Sequence, residues 1–164
     1  MTNFSLTAEN GVKSYHKAIS VFSLLVLLPF LLSLINITFA ESWKIHFFPA
    51  AIILAAVVFG ATGGIIAGIS GSLYTSLFLG NPYIIVGNVL FGLLIAVFYK
   101  KINKIVPSVL LAYMCGLPWL ILTDYYLVHL PSVFVAKLVL VLLLANILWA
   151  VLINISIKQI QKLL

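Results

Sequence analysis

The side chains able to bind or move a small polar molecule are few, and they gather beside apolar runs. Asp124, Tyr125, Tyr126 and His129 stand close together. A carboxylate beside two phenols and an imidazole can hydrogen-bond, pair with a charge or stack on a flat ring. Trp43 and His46 form a second group; Asn81, Tyr83 and Asn88 form a third. Trp119 precedes Asp124, and Lys137 follows it inside another apolar stretch. Each has a plainer reading. Asp124 suits a solvated helix end, and Trp43, Trp119, Tyr125 and Tyr126 suit an interfacial aromatic belt. Asn36, Asn88, Asn146 and Asn154 suit weak hydrogen bonds between helices. A lysine inside a membrane is expensive enough to be a functional hypothesis. Lys137 can snorkel to the headgroups, pair with Asp124 or anchor a ligand.

Catalytic chemistry has little to work with. The three His stand at 16, 46 and 129, no HExxH or Walker A pattern occurs, and no two carboxylates are placed for acid–base work. Cys115 is alone, so no internal disulfide or CxxC pair exists. No catalytic residue, metal site or cofactor is expected, and the chain reads as a non-enzyme. Its formal charge of +6 comes from nine Lys without any Arg. These lysines are scattered in ones and twos, which reads as orientation signal and excludes nucleic acid as the partner.

The elements that must position these residues follow from composition. Of 164 residues 64% are apolar and only 7% charged, with a mean hydropathy of +1.27. A soluble domain carries about 25% charged residues. The chain reads as an all-α, multi-pass protein of the plasma membrane, one transmembrane domain over residues 1–164 in contact with lipid. Residues 18–40 are 23 uncharged positions, longer than the roughly 7–15 of a signal-peptide core, and predict a retained first span bent near Pro29. From Ile45 to Tyr99 no charged residue occurs over 55 positions, enough for two long crossings or three short ones.

Lysine parity decides between them. Lys13 and Lys17 precede the first span, Lys100, Lys101 and Lys104 follow the uncharged stretch, and Lys158 and Lys162 end the chain. If all three clusters are cytoplasmic, an even number of crossings separates each from the next. Breaks at residues 60–63 and 80–82 supply the turns. Six spans are predicted, at about 18–40, 47–60, 62–80, 83–99, 105–123 and 132–155, with both termini cytoplasmic. The short second span could instead be re-entrant. The outward segments are then 41–46, 80–82 and 124–131, where the candidate residues concentrate.

Every fourth residue from Gly60 is small: Gly60, Gly64, Gly68, Ser72, Ser76 and Gly80. Apart from Gly60 at the turn, they share one face of the third span, and the fourth span answers with Asn88, Gly92 and Ala96. Small faces allow close helix packing in lipid, and they also allow a protein to tilt or dock.

The order Phe59-Gly60-Ala61-Thr62-Gly63-Gly64, then Leu79-Gly80-Asn81-Pro82-Tyr83, then Gly87-Asn88 through Gly92 to Tyr99-Lys100-Lys101 resembles the middle of the substrate-binding S components of energy-coupling factor (ECF) transporters. The resemblance covers residues 48–101. It implies a six-helix capture protein for a vitamin-like nutrient, bound at the outer face by the loops and the outer ends of helices four to six. Trp43, His46, Asn81, Tyr83, Asn88, Trp119, Asp124, Tyr125, Tyr126, His129 and Lys137 would be its ligand-facing residues. It further implies a coupling membrane subunit and two ABC-type ATPase subunits as partners. Many such proteins dock through an Ala-xxx-Ala pair on the first helix; here that span offers Ala18, Ser20 and Ser23, and the spacing occurs only at Ala51 and Ala55. The other expectations are a structural or sensory membrane subunit without a ligand, and a small autonomous carrier. The single late carboxylate and the lack of an inverted repeat argue against the carrier.

Overall fold

The computed structural model describes residues 19–39 and 43–163. Lys13, His16, Lys17 and Glu41 lie outside the described residues, as do the side chains of Trp43, Lys44 and Lys162. Helix α1 (Ile19–Leu34) holds a π-helical stretch, Ser23–Leu27, ahead of Pro29. Proline lacks an N–H and clashes with the preceding turn, and here the Leu28 N–H reaches back five residues to the Ser23 carbonyl.

The chain leaves helical geometry at Ile35 (φ −98°, ψ 124°). It then forms two antiparallel strands, β1 (Asn36–Phe39) and β2 (Trp43–His46). Their register pairs Asn36 with His46 and Phe39 with Trp43. The first helix therefore ends at Leu34, short of the predicted residue 40, and this small hairpin is an addition to a chain that is otherwise all-α as expected. Uniform apolarity carried the predicted helix too far. Ile35, Ile37 and Thr38 are β-branched, and such residues fit extended backbone better than helix.

The helical stretch Phe48–Leu79 is interrupted at Gly60, where φ is 69° and ψ −153°. That region is essentially restricted to glycine. It divides the stretch into α2 (residues 48–59) and α3 (residues 61–79), and the chain reverses between them. A Cβ on Gly63 would meet the Ala55 carbonyl oxygen at 2.6 Å, and one on Gly71 would meet the Phe48 Cβ at 3.3 Å. In a straight helix residues 48 and 71 would stand about 34 Å apart.

Helix α2 gives about 18 Å of helix and is interior. Phe48, Pro49 and every residue from 51 to 57 are buried. Its Ile52 and Ile53 pack with Ile95, Val109, Ala112 and Ala150 from three later helices. A helix apolar on all faces belongs in such a position. Around it stand α3, α4 (Tyr83–Ile102), α5 (Ile105–Leu127) and α6 (Ser132–Leu163). Four helical stretches, Phe48–Leu79, Tyr83–Ile102, Ile105–Leu127 and Ser132–Ile160, are long and apolar enough to cross a membrane. The chain is a helical membrane protein.

The small residues set the spacing of α3 and α4. A Cβ on Gly64 would lie 2.5 Å from the Gly92 carbonyl oxygen, and one on Gly68 would lie 2.7 Å from that of Asn88. The two backbones touch where side chains would normally separate them. Gly80 (φ 63°) ends α3, the Ser72 hydroxyl donates to the Gly68 carbonyl, and the Ser76 hydroxyl donates to that of Asn81 at 2.9 Å. On another side α1 runs against α3, with the Ser70 hydroxyl donating to the Val26 carbonyl and Gly71 facing Pro29.

Gly64→Ala and Gly92→Ala are each expected to destabilise the purified protein by about 1–3 kcal/mol, the cost of forced overpacking. Gly116→Ala, which has open space around it, is expected to be neutral or stabilising by up to about 1 kcal/mol. Thermal unfolding in detergent checks both, and equal melting of all three variants would contradict the packing account.

Candidate functional site

The turn between α3 and α4 is built on Asn81. Its backbone N–H donates to the Ser76 carbonyl at 3.0 Å, and its side-chain oxygen accepts the Tyr83 N–H at 3.1 Å. An Asx turn of this kind satisfies a donor that the start of α4 would leave orphaned. The opposite side of the amide is then free to point away, and Asn81 Nδ2 donates to Asp124 Oδ1 at 3.2 Å. Asn81 is buried, with 7% of its surface exposed, and Asp124 is half-buried.

Asp124 reaches that position on an irregular stretch. Residues Leu122–Leu127 are π-helical, and the Val128 N–H closes onto the Thr123 carbonyl at 2.8 Å. Pro118 interrupts α5 one turn earlier, and the Thr123 hydroxyl bonds the Trp119 carbonyl at 2.9 Å. Both disturb the regular ladder. π-Helical turns widen the helix and re-aim its side chains, and they are frequent at functional sites.

A second contact ties the same two elements. Trp119 Nε1–H donates to the Tyr83 carbonyl at 3.3 Å, and the two rings meet edge to face at 6.4 Å. Gly87 on α4 leaves room for the indole, since a Cβ there would stand 3.3 Å from Trp119 Cδ1. Asn81, Tyr83, Trp119 and Asp124, drawn from two separate segments, therefore form one cluster.

Tyr125 and Tyr126 follow as an edge-to-face pair with ring centres 4.8 Å apart. Both are exposed. With His129, Leu130, Pro131 and Ser132 they line an open, shallow depression at the turn into α6. His129 closes the end of α5 in the left-handed conformation, φ 59°, while the Leu130 N–H returns to the Asp124 carbonyl at 2.9 Å. Glycine or asparagine normally holds such a position. A histidine there costs roughly 1–2 kcal/mol of backbone strain, and strain of this kind clusters at binding sites.

The remaining predicted residues are placed as follows. Asn88 Nδ2 donates to the Ile84 carbonyl of its own helix at 3.1 Å, and its backbone abuts Gly68; it serves the helix crossing. Lys137 is exposed on α6, and among the described residues no ion pair joins it to Asp124, so of its three expected roles the pair with Asp124 is not formed. Trp43 lies on β2 opposite Phe39. The His46 ring faces Phe48 at 5.7 Å. Its carbonyl accepts Trp149 Nε1–H at 3.1 Å, and Trp149 also packs on Phe47, ring centres 4.9 Å apart. Trp149 was missed by the sequence reading. Its signal was position, since a tryptophan deep inside an apolar span does not fit an interfacial belt. Among the described residues no group of His, Cys, Asp or Glu could hold a metal ion. Comparison with protein families, characterised proteins and solved structures finds none that matches this chain.

His129→Gly is expected to raise stability by about 1 kcal/mol through relief of the left-handed strain. Asn81→Ala is expected to lower it by about 2 kcal/mol, because it strips hydrogen bonds from a buried turn and leaves the Asp124 carboxylate without its donor. Thermal melting of the two variants checks the pair, and a destabilised His129→Gly would contradict this account of the turn.

Proposed function

We propose that this chain is the substrate-capture subunit of an ECF-type importer, and that it binds a small vitamin-like nutrient at its outer face. Six crossings with both termini in the cytoplasm are part of the proposal, with α2 as a short, fully enclosed crossing. A plasma-membrane location belongs to it as well. The observation that carries it is the junction of the α3–α4 turn with the end of α5. There Asn81 holds Asp124 and Trp119 holds Tyr83, and the Tyr125–Tyr126 pair continues the same end.

Several features support this reading. Polar and aromatic groups from distant segments are fixed together at one end of a bundle whose interior is apolar. Aromatic walls with a few placed polar groups are the usual make-up of a small-molecule site. Irregular backbone at membrane depth is tolerated where it is enclosed by protein or lines a cavity. The β1–β2 hairpin enters α2, whose helix is shorter than the roughly 30 Å hydrocarbon layer. Such a subunit has no chemistry to perform, which agrees with the sparse titratable groups. Energy for uptake would come from a coupling subunit driven by two ATPase chains. The open form of the depression beside His129 favours one other reading, a structural or sensory membrane subunit without a ligand.

A thermal-stability panel of vitamins and their precursors tests the proposal. One compound at about 100 times its Kd would add about 2.7 kcal/mol, a rise of several degrees in Tm. That rise is expected to be lost in Asn81→Ala. No stabilisation by any compound, together with failure to co-purify ATPase or coupling chains from native membranes, would overturn the capture reading.

A further inference from the structure

The cluster contains an acidic group in an otherwise basic chain. Asp124 is the sole acidic residue in the last 123 positions of a chain of formal charge +6. Placing it half-buried at the end of α5 carries a desolvation cost. A single amide donor, Asn81 Nδ2, holds Oδ1 at 3.2 Å, and among the described residues no lysine or histidine forms an ion pair with this carboxylate. The lysine that follows, Lys137, is exposed on α6. From Ile105 to Ala136 no other charged residue occurs, so the sequence neighbourhood of this carboxyl group offers it no countercharge.

The next two residues add a matching feature. Tyr125 and Tyr126 are edge to face at 4.8 Å, and both remain exposed. Aromatic faces attract cations through the ring quadrupole, and a carboxylate forms its strongest hydrogen bonds to a charged N–H donor. A site for an anionic molecule would be built from the opposite parts, with lysine at hydrogen-bonding distance.

We propose that the captured nutrient carries a positive charge, as an ammonium group or a cationic heteroaromatic ring, recognised by the Asp124 carboxylate and the Tyr125–Tyr126 pair. The proposal rests on the capture reading and deepens it by naming the ligand class. Asn81 is then a positioning residue that orients the carboxylate, and the nutrient supplies the missing countercharge.

Three flat pyridine derivatives of nearly one shape test this on the intact purified protein: 1-methylnicotinamide, a cation; nicotinamide, neutral; and nicotinate, an anion. Titration calorimetry is expected to show the cation binding at least about tenfold more tightly than the other two. Asp124→Asn keeps the shape and can still accept from Asn81, so it is expected to stay monodisperse and lose that preference. Tyr126→Leu, at an exposed position, is expected to weaken the cation by about three- to tenfold without changing Tm. The proposal is overturned if nicotinate or nicotinamide binds as well as the cation, if Asp124→Asn keeps the preference, or if none of the three binds. Stabilisation by a neutral or anionic vitamin in the panel would overturn the charge assignment alone and leave capture standing. A panel without any effect would remove both.

Discussion

The contact on which the rest of the molecule depends is the backbone crossing of α3 and α4 at Gly64, Gly68, Asn88 and Gly92. A Cβ at either of the first two would fall within 2.7 Å of a facing carbonyl oxygen. In lipid the usual hydrophobic force between helices is absent, and close van der Waals approach takes its place. This crossing sets how near the helices stand at the end where α3 turns into α4. It thereby fixes the turn at residues 80–82, which Asn81 then ties to Asp124 at 3.2 Å. A wider crossing would move the turn away from α5 and separate the two halves of the cluster.

Gly60 supplies the second constraint. Its backbone conformation, φ 69° and ψ −153°, lets α2 fold directly onto α3 and into the middle of the bundle. The interior position then demands a helix without a polar face. The run of buried residues from 51 to 57 meets that demand. A short, enclosed α2 leaves its entry to be made by the β1–β2 hairpin, which is fastened to α6 through the Trp149–His46 hydrogen bond of 3.1 Å. The site end of the molecule is thus shaped by what α2 does not reach.

Much of this was legible in the residues, for physical reasons that differ from place to place. The breaks near Gly60 and at Gly80-Asn81-Pro82 were readable because glycine and proline punctuate helices through their own backbone limits. The stripe of small residues was readable because four-residue spacing stays in line on a helix, although only the structure pairs Gly64 with Gly92. The hairpin was hidden, since apolarity extends through Ile35 and Ile37 and masks their β-branched preference. The link between Asn81 and Asp124 could not be read either. It joins residues 43 apart and depends on a π-helical turn that no periodicity announces. Lys137 shows the reverse case: its position left a pair with Asp124 open as one of three roles, and on α6 it is exposed.

The central claim is that the cluster around Asn81 and Asp124 holds a small molecule. Native mass spectrometry of the protein, purified from its own membranes without added compounds, tests it most directly. The account predicts an adduct of small-molecule mass at one copy per chain, absent from Asn81→Ala prepared in parallel. Repeated preparations of a well-folded wild-type protein carrying no adduct, or an adduct retained equally by Asn81→Ala, would contradict it.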